Sequence, residues 1–155
     1  MFEIIYLLAQ LEIPNISLED VMCMSTNIYY EARSEPLTGR IAVGNVVLNR
    51  VISSKYPDTV CGVVYQAQYD PIKYIPIKYK CQFSWFCDGL SDIPINRKKF
   101  KEVSILSFLI LIGAYGDNTY GATHYYNPVI ANPNWAKKYN YTVSYAKHDF
   151  YARTD

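Results

Sequence analysis

Glu31 stands in the stretch NIYYEARSEP (residues 27–36), with Tyr29 and Tyr30 just before it and Pro36 shortly after. A carboxyl group in aromatic company loses hydration. That loss disfavours its ionised form and keeps a proton on it near neutral pH. Such a group is a candidate general acid, although a lone Glu at a helix end is usually a solvated residue. Cleavage of a glycosidic bond requires a general acid, because the leaving oxygen must be protonated while an oxocarbenium-like transition state forms. Metal chemistry has no comparable support. The two histidines form no HExxH pattern, and the four cysteines (Cys23, Cys61, Cys81, Cys87) contain no CxxC pair, so neither a catalytic metal nor another cofactor is expected. The cysteines read as free buried thiols or, in a protein that matures outside the cytoplasm, as including a Cys61–Cys87 bridge.

A helix must deliver the acid. Ser17 with Asp20 reads as an N-cap followed by an acidic first turn. Leu18, Val21, Met22, Ser25, Ile28, Tyr29 and Ala32 then recur at helical spacing. This predicts a helix over 18–33 that stops close behind Glu31, since Pro36 disfavours helical geometry at Glu35. Thr38 is the expected cap of a second helix, where Ala42 and Gly44 leave room for another backbone. Further along, the pattern predicts a short helix over 59–66, a loop or extended arm over 69–80, and an extended stretch over 81–89 closing at an Asp88-Gly89 turn. A long helix is expected over 97–115, ending at Gly116, and short helix, turns and strand in the tail. The fold class is α+β and mainly helical, one domain over 1–155 with a small β region.

Half of the 155 residues are hydrophobic and 19% are charged, a globular composition. A net charge of +1 gives no basic field for nucleic acid. Sixteen tyrosines offer flat apolar faces with polar tips, which suit sugars and wet clefts, although compositional bias accounts for most of the excess. The opening MFEIIYLLAQLEIP lacks a basic n-region and a cleavage site, so no secretory signal is expected and synthesis is assigned to the cytoplasm. The apolar run 104–115 falls short of the roughly 20 residues a bilayer needs and reads as a core helix, so no stable membrane insertion is expected.

Five blocks then occur in a fixed order: IYYEARSEPLTGRIAVGNVVLNRV (28–51), YPDTVCGVVYQ (56–66), QFSWFCDG (82–89), GATHYYNP (121–128) and HDFYAR (148–153). Together they closely resemble the cell-wall hydrolase family typified by spore-cortex-lytic enzymes, with related domains in bacteriophage lysis proteins. The resemblance covers about residues 20–153. It implies a fold similar to lysozymes and lytic transglycosylases, with the acid at a helix end, and it maps the family's catalytic acid onto Glu31. It also implies that Gln82 and Ser84 line the cleft and hold N-acetyl or hydroxyl groups. Trp85 is then either a stacking face for a sugar or a core residue. Tyr125, Tyr126 and Asn127 resemble the tyrosine–asparagine element that borders the acid in lytic transglycosylases. Strand alternation turns Tyr125 and Tyr126 to opposite sides, so one of them meets substrate. His124 and His148 are expected to make structural hydrogen bonds, and Arg33 a structural ion pair. The arm at 69–80 is longer than the family resemblance implies.

The resulting expectation is a monomeric lytic transglycosylase acting on peptidoglycan glycan strands in the bacterial wall, in a phage lysis or virion setting. It would cleave MurNAc–GlcNAc β-1,4 bonds and leave 1,6-anhydro ends. The alternatives are a hydrolytic muramidase, with Asp88 as its second carboxylate, and a catalytically silent glycan-binding virion domain.

Overall fold

The computed structural model describes residues 16–155. The apolar opening, read above for the absence of a secretory signal, lies outside the described residues. Helix α1 spans Leu18–Ala32. The Ser17 hydroxyl accepts from the Asp20 amide at 3.0 Å while the Asp20 carboxylate accepts from the Ser17 amide at 3.3 Å, so two open donors of the helix start are satisfied reciprocally. Val21, Met24, Ile28 and Ala32 are buried along its inner stripe. Helix α2 (Leu37–Ile52) begins directly after Pro36, which is its N-cap. Thr38, the expected cap, lies inside the helix. Proline already fixes φ near a helical value and lacks the amide that a cap would have to satisfy.

Helices α3 (Val60–Val64) and α4 (Arg97–Leu111) complete the helical part, whose core includes Met24, Ile28, Val43, Val47, Val63 and Val103. Gly44 permits the close approach its size suggests: a Cβ there would lie 2.7 Å from Ile110 Cδ1. Helix α4 stops earlier than the expected Gly116, because Gly113 adopts a left-handed φ of +78° and terminates it.

Strands β1 (Ala67–Tyr69) and β2 (Pro76–Cys81) form an antiparallel hairpin from the predicted arm. The stretch 81–89 is not extended. It folds into a 3-10 turn over Ser84–Cys87, and Cys87 bonds back to Cys81 with their Cα atoms 6.0 Å apart. An extended chain, rising about 3.3 Å per residue, would hold these two cysteines far apart. The second bridge joins Cys23 of α1 to Cys61 of α3. The cysteines are therefore neither free nor paired as Cys61–Cys87, because each finds a nearer partner.

Strands β3 (His124–Tyr126), β4 (Asn140–Tyr145) and β5 (His148–Ala152) form an antiparallel sheet in the order β3-β5-β4, with a 3-10 turn over Asn134–Lys137 between β3 and β4. Phe150 at its centre packs on Ala42 and Val46, docking the sheet on α2. The architecture is the expected mainly helical α+β one. Among the described residues no helix is long and apolar enough to cross a membrane.

Candidate active site

Helix α1 places Glu31 one residue before its end, at the floor of a cleft of about 400 Å³. Tyr125 of β3 donates its hydroxyl to Glu31 Oε2 at 2.6 Å. Burial raises the Glu31 pKa, and the Tyr125 hydrogen bond and the Arg50 charge oppose that rise without reversing it. Burial, then the neighbouring Glu31 carboxyl, lifts the Tyr125 pKa well above 10, so the phenol remains a donor.

Arg50, in the last turn of α2, is only 5% exposed. Its Nε donates to the Thr123 carbonyl at 2.8 Å, and its guanidinium lies 5.2 Å from the Tyr56 ring and 5.1 Å from the Phe83 ring. This buried cation lines the same cleft as the acid. It was not legible in the sequence, where it resembles an ordinary basic residue near a helix end. Asn49 beside it donates to Asp117, Thr119 and Ala122, so the end of α2 holds the loop that leads into β3.

Gln82 and Ser84 line the cleft, as expected, and both are exposed. Trp85 does not. It is 6% exposed, stacks on Tyr30 with ring centroids 5.0 Å apart, and donates Nε1 to Asn27 Oδ1 at 3.0 Å. Of the two readings of Trp85, the core one holds. The tryptophan in the cleft lining is Trp135, which packs against His124 and Tyr126. Its only sequence signal was an aromatic residue in a turn bounded by proline and asparagine.

Tyr125 and Tyr126 separate as strand alternation requires. Tyr125 meets the acid, whereas Tyr126 packs on Trp135 and Tyr151 and is absent from the cleft lining. Asn127 shapes a turn, its Oδ1 accepting from the Val129 amide at 3.0 Å. His124 does reach the cleft while sharing a hydrogen bond with Thr123 at 2.9 Å. Burial first, then the charges of Arg50 and Arg153, lower its pKa to about 4, so the ring is neutral at neutral pH. Arg33 makes no ion pair among the described residues. It donates to the Tyr29 carbonyl and covers the Tyr29 ring at 4.8 Å.

Glu31 is the sole carboxylate among the described residues that line this cleft. Asp88 is engaged in the predicted turn, accepting from the Leu90 amide at 2.8 Å, with Gly89 at φ +86°. A smaller adjoining hollow shares Glu31 and contains Glu35. There Glu35 pairs with Lys147 at 3.4 Å and approaches His148 at 3.7 Å.

The profile of the Cell Wall Hydrolase family matches residues 34–151. The chain belongs to the cell wall hydrolase family. Among relatives of this family member, the spore cortex-lytic enzyme of Bacillus cereus is 32% identical over 124 residues, 79% of this chain and 40% of the relative. That of Oceanobacillus iheyensis is 32% identical over 119 residues, 77% of this chain and 36% of the relative. The chain thus spans about 40% of the length of these relatives. Two solved cell wall hydrolase structures share its lysozyme-like α+β fold. The catalytic domain of the germination-specific lytic transglycosylase SleB from Bacillus anthracis superposes with a TM-score of 0.66 at 29% identity, covering 90% of this chain and 99% of that one. The catalytic domain of Bacillus cereus SleB gives 0.65 at 29% identity, covering 92% and 97%. The family profile begins at Ser34, just past Glu31, so the role of the acid rests on its geometry.

Proposed function

We propose that this domain is a peptidoglycan lytic transglycosylase that cleaves MurNAc–GlcNAc β-1,4 bonds and closes the muramic end as a 1,6-anhydro sugar. The observation that carries the reading is the Glu31 carboxyl, the sole carboxylate among the described residues that line its cleft, held there by Tyr125. The fold shared with the catalytic domain of a lytic transglycosylase supports it.

Glu31, whose pKa is raised by burial, gives its proton to the glycosidic oxygen as the bond to C1 breaks. The carboxylate left behind is stabilised by the Tyr125 hydroxyl and the Arg50 charge. It then takes the proton from the muramic C6 hydroxyl, whose oxygen closes on C1. One carboxyl suffices, because the nucleophile is held in the substrate at high effective concentration. No water is consumed, and Glu31 ends protonated. A hydrolase would instead position a water, normally with a second carboxylate about 5–9.5 Å from the first. Gln82 and Ser84 would hold polar groups of the sugars, and Trp135 would provide the stacking face. Glu31, Arg50 and Tyr125 come from one chain, which suits a monomer acting on glycan strands of the wall. The two disulfides suit work outside a reducing cytoplasm.

Mass spectrometry of digested, purified peptidoglycan tests this proposal. The expected products end in 1,6-anhydro-MurNAc, one water lighter than hydrolysed muropeptides. Reducing MurNAc ends carrying oxygen from labelled water would establish a muramidase instead. No cleavage at all would leave the silent glycan-binding reading.

A further inference from the structure

The β1–β2 hairpin carries side chains that neither the core nor the acid uses. Ile72, Tyr74 and Tyr79 are 84%, 82% and 71% exposed. Lys73, Lys78 and Lys80 interleave with them and are also exposed. The hairpin's own acid, Asp70, is occupied: its Oδ1 accepts from the Ile72 amide at 2.9 Å and the Lys73 amide at 2.8 Å. Among the described residues none of the three lysines pairs with a carboxylate. An unbalanced cationic and aromatic surface therefore stands out from the domain.

This surface is continuous with the cleft. Asp70 and Ile75 close the tip through a backbone hydrogen bond of 2.9 Å, and the Gln82 amide donates to the Gln66 carbonyl at 3.0 Å at the base. Cys81 is paired with Ala67 and bonded to Cys87. Strand β2 thus runs directly into Gln82 and Ser84, which line the cleft. Lys80 precedes Gln82 by two residues, and an extended chain sends such residues to the same side.

We propose that the hairpin is an exosite for peptide-bearing peptidoglycan, in which stem-peptide carboxylates meet Lys73, Lys78 and Lys80 while sugar rings lie on Tyr74 and Tyr79. The inference rests on the peptidoglycan reading of the cleft. A long polymer seated there must leave it, and β2 is the strand that leads away from the lining residues Gln82 and Ser84. The lysines give the surface its selectivity. The hydroxyl and N-acetyl groups of the sugars offer them no counter-charge, whereas stem peptides present free carboxylates.

The test is co-sedimentation of the Glu31→Gln protein with purified sacculi, before and after carbodiimide coupling of ethanolamine converts the stem-peptide carboxylates to neutral amides. Each exposed ion pair contributes about twofold in affinity, so three together give roughly tenfold at low salt. Native sacculi should therefore bind roughly tenfold more tightly than amidated ones. Lys73→Gln/Lys78→Gln/Lys80→Gln in the same background should abolish that difference, as should high salt. Unchanged binding of the triple variant to native sacculi would overturn the proposal, and so would an equal loss on amidated sacculi. Lysine-dependent retention on phosphatidylglycerol vesicles, with sacculus binding unaltered, would assign the hairpin to a lipid surface and overturn it too. The measurement needs no catalysis. Absence of cleavage by the wild type would remove the transglycosylase reading alone, and cleavage with lysine-independent binding would remove the exosite alone.

Discussion

Tyr125→Phe isolates one bond in the site. The substitution keeps the ring that packs near Phe150 and His148, both at 5.3 Å between centroids, and removes only the hydroxyl that donates to Glu31 at 2.6 Å. Hydrogen bonds to charged groups are worth about 1.5–3 kcal/mol. The Tyr125 bond favours the ionised carboxyl, so its loss should raise the Glu31 pKa further. The general acid must carry its proton, so the alkaline limb of kcat/KM should move upward. The carboxylate that forms as the proton leaves is less stabilised, and kcat should fall roughly tenfold to a hundredfold. Neighbouring groups leave the window clear. Burial and the Arg50 and Arg153 charges hold His124 down to about 4, and burial beside Glu31 holds Tyr125 well above 10. The assay is a pH series of anhydro-muropeptide release from purified peptidoglycan. An unmoved or lowered alkaline limb at wild-type rate would refute the hydrogen bond's assigned role.

Glu31→Gln should lower lysis at least about a hundredfold, because an amide cannot deliver the proton, whereas Glu35→Gln should retain most activity in the same lysis assay. Glu31→Gln should also be the more thermostable protein at pH 7. The native pKa of Glu31 is raised, so the unfolded chain ionises first as pH climbs above about 4.3 and the native state loses stability relative to it. Below pH 4 both states are protonated, and melting curves of mutant and wild type should converge. Trp85→Ala should cost about 3–5 kcal/mol in denaturant unfolding, as expected for a buried tryptophan rather than a cleft platform. Cys23→Ser/Cys61→Ser opens a bridge spanning 38 residues and should cost about 3–4 kcal/mol by the loop-entropy model, against about 2 for the six-residue Cys81–Cys87 span, both read by chemical denaturation.

The path of the chain around Glu31 was legible because its signals are local. The Ser17–Asp20 cap, the apolar stripe and Pro36 all lie within about a score of residues, and they fix where the helix starts and stops. Residues that depend on distant partners were not legible. Trp85 is claimed by Asn27, 58 positions earlier, and nothing near Trp85 announces that hydrogen bond. Arg50 acquires meaning only when Thr123 accepts its Nε across 73 residues. The 81–89 stretch reads as extended, closing at the Asp88-Gly89 turn. The covalent tie between Cys81 and Cys87 overrides that preference, and spacing alone did not choose among the possible cysteine pairings. Tyr125 was separable from Tyr126 because strand alternation is a local rule, although which of them faces the acid is a tertiary fact.

The Tyr125–Glu31 bond joins residues 94 positions apart. At synthesis rates of about 5–20 residues per second, Glu31 leaves the ribosome roughly 5–19 s before its phenol partner exists. Throughout that interval the cleft lacks Tyr125, His124 and Trp135, and the acid has no fixed orientation. The bond therefore acts as a delay, and the Glu31 carboxyl is fixed in its cleft only when the last strands dock.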